Sequence, residues 1–188
     1  MRNRVYLLMK ENNILIDEDI FGYGYSIFLQ YFSYFLIVIP IALITNELFG
    51  MICFLLLFVP LRRYLGGFHF KRKGFCPVFS VVFSIVILSL FHKIEVNITL
   101  GSLFFIFSII ICKLIAPIEH PKKKLDKNQK NIYNKKAIKV LISYFLIFLI
   151  CRLLEIKLTN IIFITTIFSV INAVVGYICY NVLSGDFI

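Results

Sequence analysis

Long apolar runs separated by short polar segments dominate the chain. The runs cover residues 27–45, 48–60, 78–91, 98–116, 138–154 and 159–181. Roughly 20 apolar residues in a helix cross the hydrocarbon core of a bilayer, and the second and third runs are shorter than that. The pattern therefore predicts six membrane segments, of which four to six span the bilayer. The two short runs are expected to be tilted, re-entrant or extended by helix outside the lipid.

The first 26 residues precede these runs and carry a different pattern. Apolar positions within residues 1–20 would share one face of a helix, with Asn12 interrupting the stripe and charged residues elsewhere. This pattern is typical of an amphipathic helix lying in the membrane interface. We interpret "FGYGY" at 21–25 as a flexible junction. Because the stripe is short, a loosely ordered tail remains the alternative.

Composition places these segments in lipid. Hydrophobic residues make up 60% of the chain and charged residues 16%, whereas a soluble domain is near half apolar and about a quarter charged. We predict an all-α integral membrane protein with a single membrane domain, 1–188, and no removable signal peptide. The five cysteines show no paired spacing, so no disulfide framework is expected.

Charge predicts the orientation. The linkers 61–77 and 117–139 are rich in lysine and arginine, whereas the linkers near Glu47, Glu95 and Glu155 are short and nearly balanced. Because basic residues concentrate in cytoplasmic loops, both basic linkers are expected inside the cell, with both termini. The predicted location is the plasma membrane, with several crossings.

The linker 61–77 also contains candidate chemistry. It holds His69 and Cys76 among five basic residues and no acidic one. A cysteine becomes a nucleophile when a nearby histidine takes its proton and positive charge stabilises the thiolate. We predict Cys76 as a nucleophile and His69 as its general base, on the cytoplasmic side of the membrane.

A bend is needed to bring the two together. Seven residues of continuous helix would separate their backbones by about 10 Å. The linker supplies residues that break a helix, namely Gly66, Gly67, Gly74 and Pro77. Since proline is favoured at the first helical position, Cys76 is predicted as the N-cap of the helix that continues to Phe91. Free N–H groups and the helix dipole would favour a thiolate there and could stabilise an oxyanion.

A simpler interpretation of the same linker remains open. Cys76 would then be an incidental residue at a helix start, His69 an interfacial side chain and the basic charge only a topology signal. A zinc site is disfavoured, because the other histidines, His92 and His120, lie in different linkers and a structural site takes four ligands. We expect no metal, no cofactor and no nucleic-acid partner.

The spacing in this linker resembles that of the AgrB family (accessory gene regulator protein B). An arginine seven positions before the histidine, a glycine two before it and a cysteine seven after it fall on Arg62, Gly67, His69 and Cys76. The paired apolar runs and the stretch "APIEHPKKKL" after the fourth run are also similar to the family. One departure is Phe70, since the residue after the histidine is usually small there.

The resemblance implies a membrane cysteine endopeptidase of a quorum-sensing system. Its substrate would be a small AgrD-like precursor peptide, cleaved on the C-terminal side of the signal sequence. Cys76 would form a thioester with the N-terminal part, while His69 acts as base and then as acid. A cysteine of the substrate would then displace Cys76 and close the thiolactone ring of an autoinducing peptide.

Further residues receive roles by this resemblance or on physical grounds. Arg62 is expected to support the site, and Gly67 to permit the turn towards His69. Polar residues of the last run, Asn172 and Ser169, are candidates to orient His69 or only to join helices. Phenylalanines around the linker would exclude water or anchor it in the interface: Phe68, Phe70, Phe75 and Phe79.

Partners are predicted in the same way. The acidic tail of a precursor would be attracted by the lysine cluster Lys122, Lys123 and Lys124, although the positive-inside rule and anionic lipid account for much of the net charge of +10. The lipid bilayer and a second copy of the chain, in a homodimer, are the other expected partners. A small transporter or channel and a non-catalytic membrane scaffold are the alternative functions; for the former, no span contains an acidic residue at mid-membrane.

Overall fold

The protein is described by a computed structural model that covers residues 2–11, 17–68, 75–91, 93–118 and 125–182. Every regular element in these ranges is a helix. The helices are α1 (Arg2–Glu11), α2 (Glu18–Ile44), α3 (Leu48–Leu65), α4 (Phe75–Phe91), α5 (Ile98–Ile115), α6 (Lys127–Leu153) and α7 (Leu158–Tyr177), and α7 continues into a π-helical turn, Ile178–Val182. The prediction of an all-α membrane protein is confirmed.

Four helical stretches are long and apolar enough to cross a membrane: Gly24–Ile44, Leu48–Leu65, Ile98–Ile115 and Leu158–Tyr180. The predicted run 138–154 falls in α6, which has 27 residues but carries lysines through much of its first half. Helix α4 has a shorter apolar stretch, Val78–Leu90. Among the described residues, length and composition thus suit four helices for crossing a membrane, the lower end of the predicted four to six, and α4 and α6 are two further helices with apolar stretches.

Three predicted linkers differ from the structure. The "FGYGY" junction is helical, because α2 begins at Glu18 and runs through it without a break. The basic linker 117–139 becomes helical at Lys127, where Asp126 and Gln129 form a capping box. The linker 61–77 is shorter than predicted, since α3 extends to Leu65 and α4 begins at Phe75.

The N-terminal helix is present over the first half of the predicted stretch. Helix α1 covers Arg2–Glu11, and the Tyr6 ring lies 5.3 Å from that of Phe21 in α2. Residues 12–16, which would have extended its apolar stripe, lie outside the described ranges. The interfacial position of α1 therefore stays a prediction.

Helix α7 is the centre of the bundle. It packs against α3, α4, α5 and α6. Half of its span is buried inside the protein, compared with 18–28% of the other three spans. Two core clusters meet on it: one joins α3, α5, α6 and α7 around Phe105 and Phe148, and the other joins α2, α3, α4 and α7 around Met51 and Phe54. Residues on α7 can therefore contact both halves of the molecule.

Candidate functional site

The candidate site begins where α3 ends. Gly66 closes the helix by donating its N–H to the carbonyl of Arg62 at 3.0 Å. The backbone then turns through two glycines with positive φ, Gly66 (φ 77°) and Gly67 (φ 154°). Residues that carry a side chain rarely adopt this conformation, so the two glycines permit the observed turn. That the turn directs His69 towards Cys76 stays a prediction. The described part of the linker ends at Phe68, immediately before His69.

Arg62 of α3 and Asn172 of α7 both form hydrogen bonds to this turn and to each other. One guanidinium nitrogen of Arg62, Nη1, donates to Asn172 Oδ1 at 2.7 Å, and the other, Nη2, donates to the Phe68 carbonyl at 3.0 Å. The Phe68 N–H donates to the same Asn172 oxygen at 3.1 Å. Both peptide groups of Phe68 are therefore fixed, one by α7 and the other by α3.

Close backbone packing reinforces the turn. A Cβ atom on Gly176 would lie 2.8 Å from the Gly67 carbonyl carbon and 2.8 Å from the Phe68 nitrogen. A Cβ atom on Gly67 would overlap Asn172 Oδ1, and one on Gly66 would overlap the carbonyl oxygen of Ile118. The Ile118 N–H also donates to the Leu65 carbonyl at 2.8 Å. The turn is thus enclosed between α7 and the segment that follows α5.

Aromatic rings cover the remaining side of the network. The Phe68 ring stacks on Tyr180 with centroids 6.2 Å apart, and the Arg62 guanidinium lies 5.8 Å from the centroid of the Phe58 ring. A cavity of about 20 Å³ lies between α3, α4 and α7, which is enough for one water molecule. Its lining combines rings with polar groups: Phe54, Phe58, Arg62, Phe68, Phe79, Ser80, Phe83, Ser84 and Asn172.

Helix α4, whose first turn contains Cys76, contributes Phe79, Ser80, Phe83 and Ser84 to the same cavity. The helix begins at Phe75, two residues before the predicted first helical residue, Pro77, so Cys76 lies in the first turn rather than at the N-cap. By helix geometry the backbone N–H groups of a first turn have no partner within their own helix, and here Phe75, Cys76 and Val78 carry such groups while Pro77 does not. Two residues of the cavity wall, Phe79 and Ser80, follow Cys76 by three and four positions, the spacing of neighbours on one helical face.

The same helix is held against its neighbours by two residues of the cavity wall, Phe83 and Ser84. The Tyr34 hydroxyl of α2 and the Ser84 hydroxyl are 2.7 Å apart and hydrogen-bonded. The Phe83 ring contacts Phe168 of α7 edge-on, with centroids 4.9 Å apart. At the cavity, helix α4 is therefore joined to both α2 and α7.

Basic residues surround this end of the bundle. The Tyr64 ring has the Arg63 guanidinium 5.9 Å from its centroid and the Lys136 ammonium 5.6 Å from it. Asn134 of α6 donates to the Ala116 carbonyl at 2.6 Å and thereby joins α6 to the end of α5. The end of α3 and the polar first half of α6 therefore lie side by side. This agrees with the expectation that both basic linkers lie on the same side of the membrane.

The sequence-predicted residues divide into two groups. Arg62, Gly67 and Asn172 meet directly. Ser169 points elsewhere, since its hydroxyl donates to the Thr165 carbonyl of its own helix at 2.7 Å. Outside the described ranges lie His69, Phe70 and the lysines Lys122, Lys123 and Lys124, and the same holds for the side chain of Cys76.

Sequence reasoning missed the contribution of Gly176. This glycine lies in an apolar run of the last span, where nothing nearby in sequence indicates a close contact. Small residues in membrane helices allow backbones to approach closely, and that was the available signal. The close approach of Gly176 to Gly67 depends on how α7 packs on the turn, which the sequence does not show.

The family model for accessory gene regulator B matches residues 2–173. The chain belongs to the accessory gene regulator B family. An AgrB-like protein of Clostridium perfringens strain SM101 is 28% identical over 138 residues, which are 69% of this chain and 64% of that protein. A second AgrB-like protein, from strain 13 of the same species, is 27% identical over the same lengths. The chain thus spans 64% of these relatives, and no solved structure matches it.

Membership of the accessory gene regulator B family links the chain to accessory gene regulation. The matched residues include the whole stretch from α1 through Asn172, and therefore both Arg62 and Asn172 of the turn. The resemblance found from the spacing of Arg62, Gly67, His69 and Cys76 is confirmed at the level of the family. The roles of the individual residues remain predictions.

Proposed function

We propose that the protein is a membrane cysteine endopeptidase that processes a small AgrD-like precursor peptide. The observation that carries this proposal is the family match, which covers residues 2–173 and so contains the full spacing from Arg62 to Cys76. The rigid turn at Gly66–Phe68 supports it, because that turn leads directly into His69. A topology signal alone would not need a turn held by two helices.

In the first step, Cys76 attacks the scissile carbonyl of the precursor. The Cys76 thiolate forms a bond to the carbonyl carbon, and His69 has taken the thiol proton. The tetrahedral intermediate collapses with cleavage of the C–N bond, and His69 returns the proton to the leaving amine. The C-terminal part of the precursor leaves, and its N-terminal part remains as a thioester on Cys76.

In the second step, a cysteine of the bound peptide replaces Cys76. The substrate sulfur attacks the thioester carbonyl, its proton passes to Cys76 by way of His69, and the new thioester closes a thiolactone ring. One thioester bond forms and one breaks, so the free-energy change of the exchange is small. Water must be kept from the acyl-enzyme for this step to compete with hydrolysis.

Described residues supply three parts of this chemistry. The Arg62 guanidinium contributes positive charge beside the turn and holds the Phe68 carbonyl. The first turn of α4 offers free N–H groups near the position of Cys76, which suit a thiolate or an oxyanion. The rings of Phe58, Phe68 and Phe79 line a cavity of about 20 Å³ beside the turn, and an apolar surface of this kind would disfavour further water near an acyl-enzyme.

The location and partners belong to the same proposal. The active site faces the cytoplasm, because the basic end of the bundle contains it and basic residues stay inside. Lys122, Lys123 and Lys124 attract the acidic tail of the precursor. The protein acts in the plasma membrane as a homodimer.

The test uses purified protein in nanodiscs with a precursor peptide encoded near its gene. Intact mass spectrometry is expected to show a hydroxylamine-sensitive adduct and the released tail with the wild-type protein. Cys76→Ala should abolish both products. His69→Ala should slow adduct formation by about a hundredfold or more, the usual contribution of a general base.

Cys179→Ala is the matched control, since Cys179 is a half-buried thiol in the π-helical turn at the same end of the bundle. It should form the adduct at the wild-type rate. If Cys76→Ala cleaves the precursor as well as the wild type does, the nucleophile is wrong. If a bound precursor is neither acylated nor cut, a transporter or a scaffold becomes the better hypothesis.

A further inference from the structure

We infer that Asn172 is a positioning residue that sets the place of His69 for the acylation step. This inference rests on the proposed function. Asn172 lies on α7, 104 residues from Phe68 along the chain, and its side-chain oxygen accepts from the Phe68 N–H at 3.1 Å. The residue that follows Phe68 is His69.

The hydrogen bonds form a closed network around the Phe68 peptide groups. Asn172 Oδ1 accepts two hydrogen bonds, one from Phe68 and one from Arg62 at 2.7 Å. Arg62 in turn donates to the Phe68 carbonyl at 3.0 Å. Because the N–H and the carbonyl of Phe68 are both held, the described backbone is fixed up to the residue that precedes His69. A general base needs such precision, since a displacement of about 1 Å can cost a hundredfold in rate.

Other polar residues of α7 behave differently from Asn172. The hydroxyls of Thr166 and Ser169 donate to carbonyls one turn earlier in α7, each at 2.7 Å. Such bonds satisfy a polar group within its own helix and do not join it to another element. Asn172 instead directs its oxygen to the turn after α3, and Gly176, four residues later, gives that turn room to approach. This face of α7 is therefore shaped to hold the turn.

The chemistry of the amide also suits a positioning role. Its Oδ1 has two lone pairs, which match the two donors that converge on it. A hydrophobic residue of similar size would leave both donors without this acceptor, and the Phe68 N–H would lose its bond to α7. The turn would then lose its hydrogen bond to α7, and we expect the backbone that leads into His69 to be held less firmly.

The experiment compares Asn172→Leu with the wild type in single-turnover acylation. The acylation rate constant at saturating precursor is expected to fall about ten- to a hundredfold. The precursor concentration at half-saturation should stay within about threefold, because both hydrogen bonds that Asn172 Oδ1 accepts come from the protein itself. Ser169→Ala, which removes a hydroxyl bonded within α7 one turn away, is the matched control and should acylate like the wild type.

Several outcomes would overturn the inference. A wild-type acylation rate in Asn172→Leu shows that the network does not position His69. A weaker half-saturation with an unchanged rate shows that Asn172 serves substrate binding instead. If Asn172→Leu is not recovered folded, Asn172→Ser is measured in its place, since the shorter serine side chain does not reach both donors. Its acylation rate constant and its half-saturating precursor concentration are then compared with those of the wild type. Absence of an adduct in the wild type instead refutes the proposed function, and this inference with it.

Discussion

Single residues at the end of α3 determine whether the candidate site forms. Gly66 and Gly67 adopt positive φ, and Gly176 touches the backbone of the turn. Arg62 uses two nitrogens for two different partners, which a lysine with its single ammonium centre would not reproduce in the same geometry. The site therefore depends on residue types whose roles are geometric.

Replacement of Gly66 tests this dependence directly. In Gly66→Ala the new methyl group would overlap the Ile118 carbonyl, and the positive φ would become strained. Backbone strain of this kind costs about 1–3 kcal/mol. We expect a lower melting temperature in nanodiscs and a reduced acylation rate, measured by circular dichroism and by intact mass.

Gly24→Ala is the control for that substitution. Gly24 lies in α2, and nothing is within 4 Å of the Cβ atom that alanine would add. Alanine is favoured over glycine in a helix by about 1 kcal/mol, so this variant should be at least as stable as the wild type. Equal melting temperatures for the two variants would contradict the proposed constraint on Gly66.

At the scale of elements, the ends of helices matter more than their middles. The central parts of the helices follow from their apolar composition. The C-terminal ends of α3 and α5, in contrast, are held by hydrogen bonds from residues of other segments. The carbonyl of Leu65 at the end of α3 accepts from Ile118, and the carbonyl of Ala116 after α5 accepts from Asn134 of α6. These bonds keep the polar first half of α6 next to the candidate site.

Asn134→Ala is expected to loosen this end of the bundle. The Asn134 amide donates to the Ala116 carbonyl at 2.6 Å and lies 3.3 Å from the Lys113 carbonyl. Loss of a donor to partly buried carbonyls costs about 1–3 kcal/mol. The melting temperature should fall, while Asn131→Ala, at an exposed position of the same helix, should leave it unchanged. A similar effect of both variants would show that the bond adds no stability.

At the scale of the whole molecule, α7 connects two half-bundles, and the basic residues gather at the end where the candidate site lies. The opposite end is formed by shorter connections near Glu47, Glu95 and Glu155. Because lysine and arginine are retained on the cytoplasmic side, this asymmetry predicts that the end with the candidate site faces the cytoplasm.

Cysteine labelling tests the orientation. Lys127→Cys lies at the start of α6 beside the candidate site, and Lys157→Cys lies just before α7 at the other end; both positions are exposed. With a membrane-impermeant maleimide on intact cells, the thiol introduced at position 157 should be labelled, and the one at position 127 only after permeabilisation. Peptide mapping identifies the modified position. The reverse pattern would place the candidate site outside the cell.

Much of the architecture could be predicted from the sequence. Apolar runs of membrane length determined the helices, since lipid requires backbone groups to be satisfied within each segment. The boundaries were less certain: α2 continues through "FGYGY", and α6 starts at Lys127 because helix formation outside the lipid does not need an apolar sequence. The spacing of Arg62, Gly67, His69 and Cys76 sufficed for the family.

The sequence by itself determined the helical membrane class, the basic end of the molecule and the candidate nucleophile and base, because these depend on composition and local spacing. Only the tertiary structure decided that Asn172 meets Arg62 across 110 residues and that Gly176 makes room for the turn. The reason is physical. A side chain's partners depend on the rotation of each helix about its axis, and packing between helices sets that rotation.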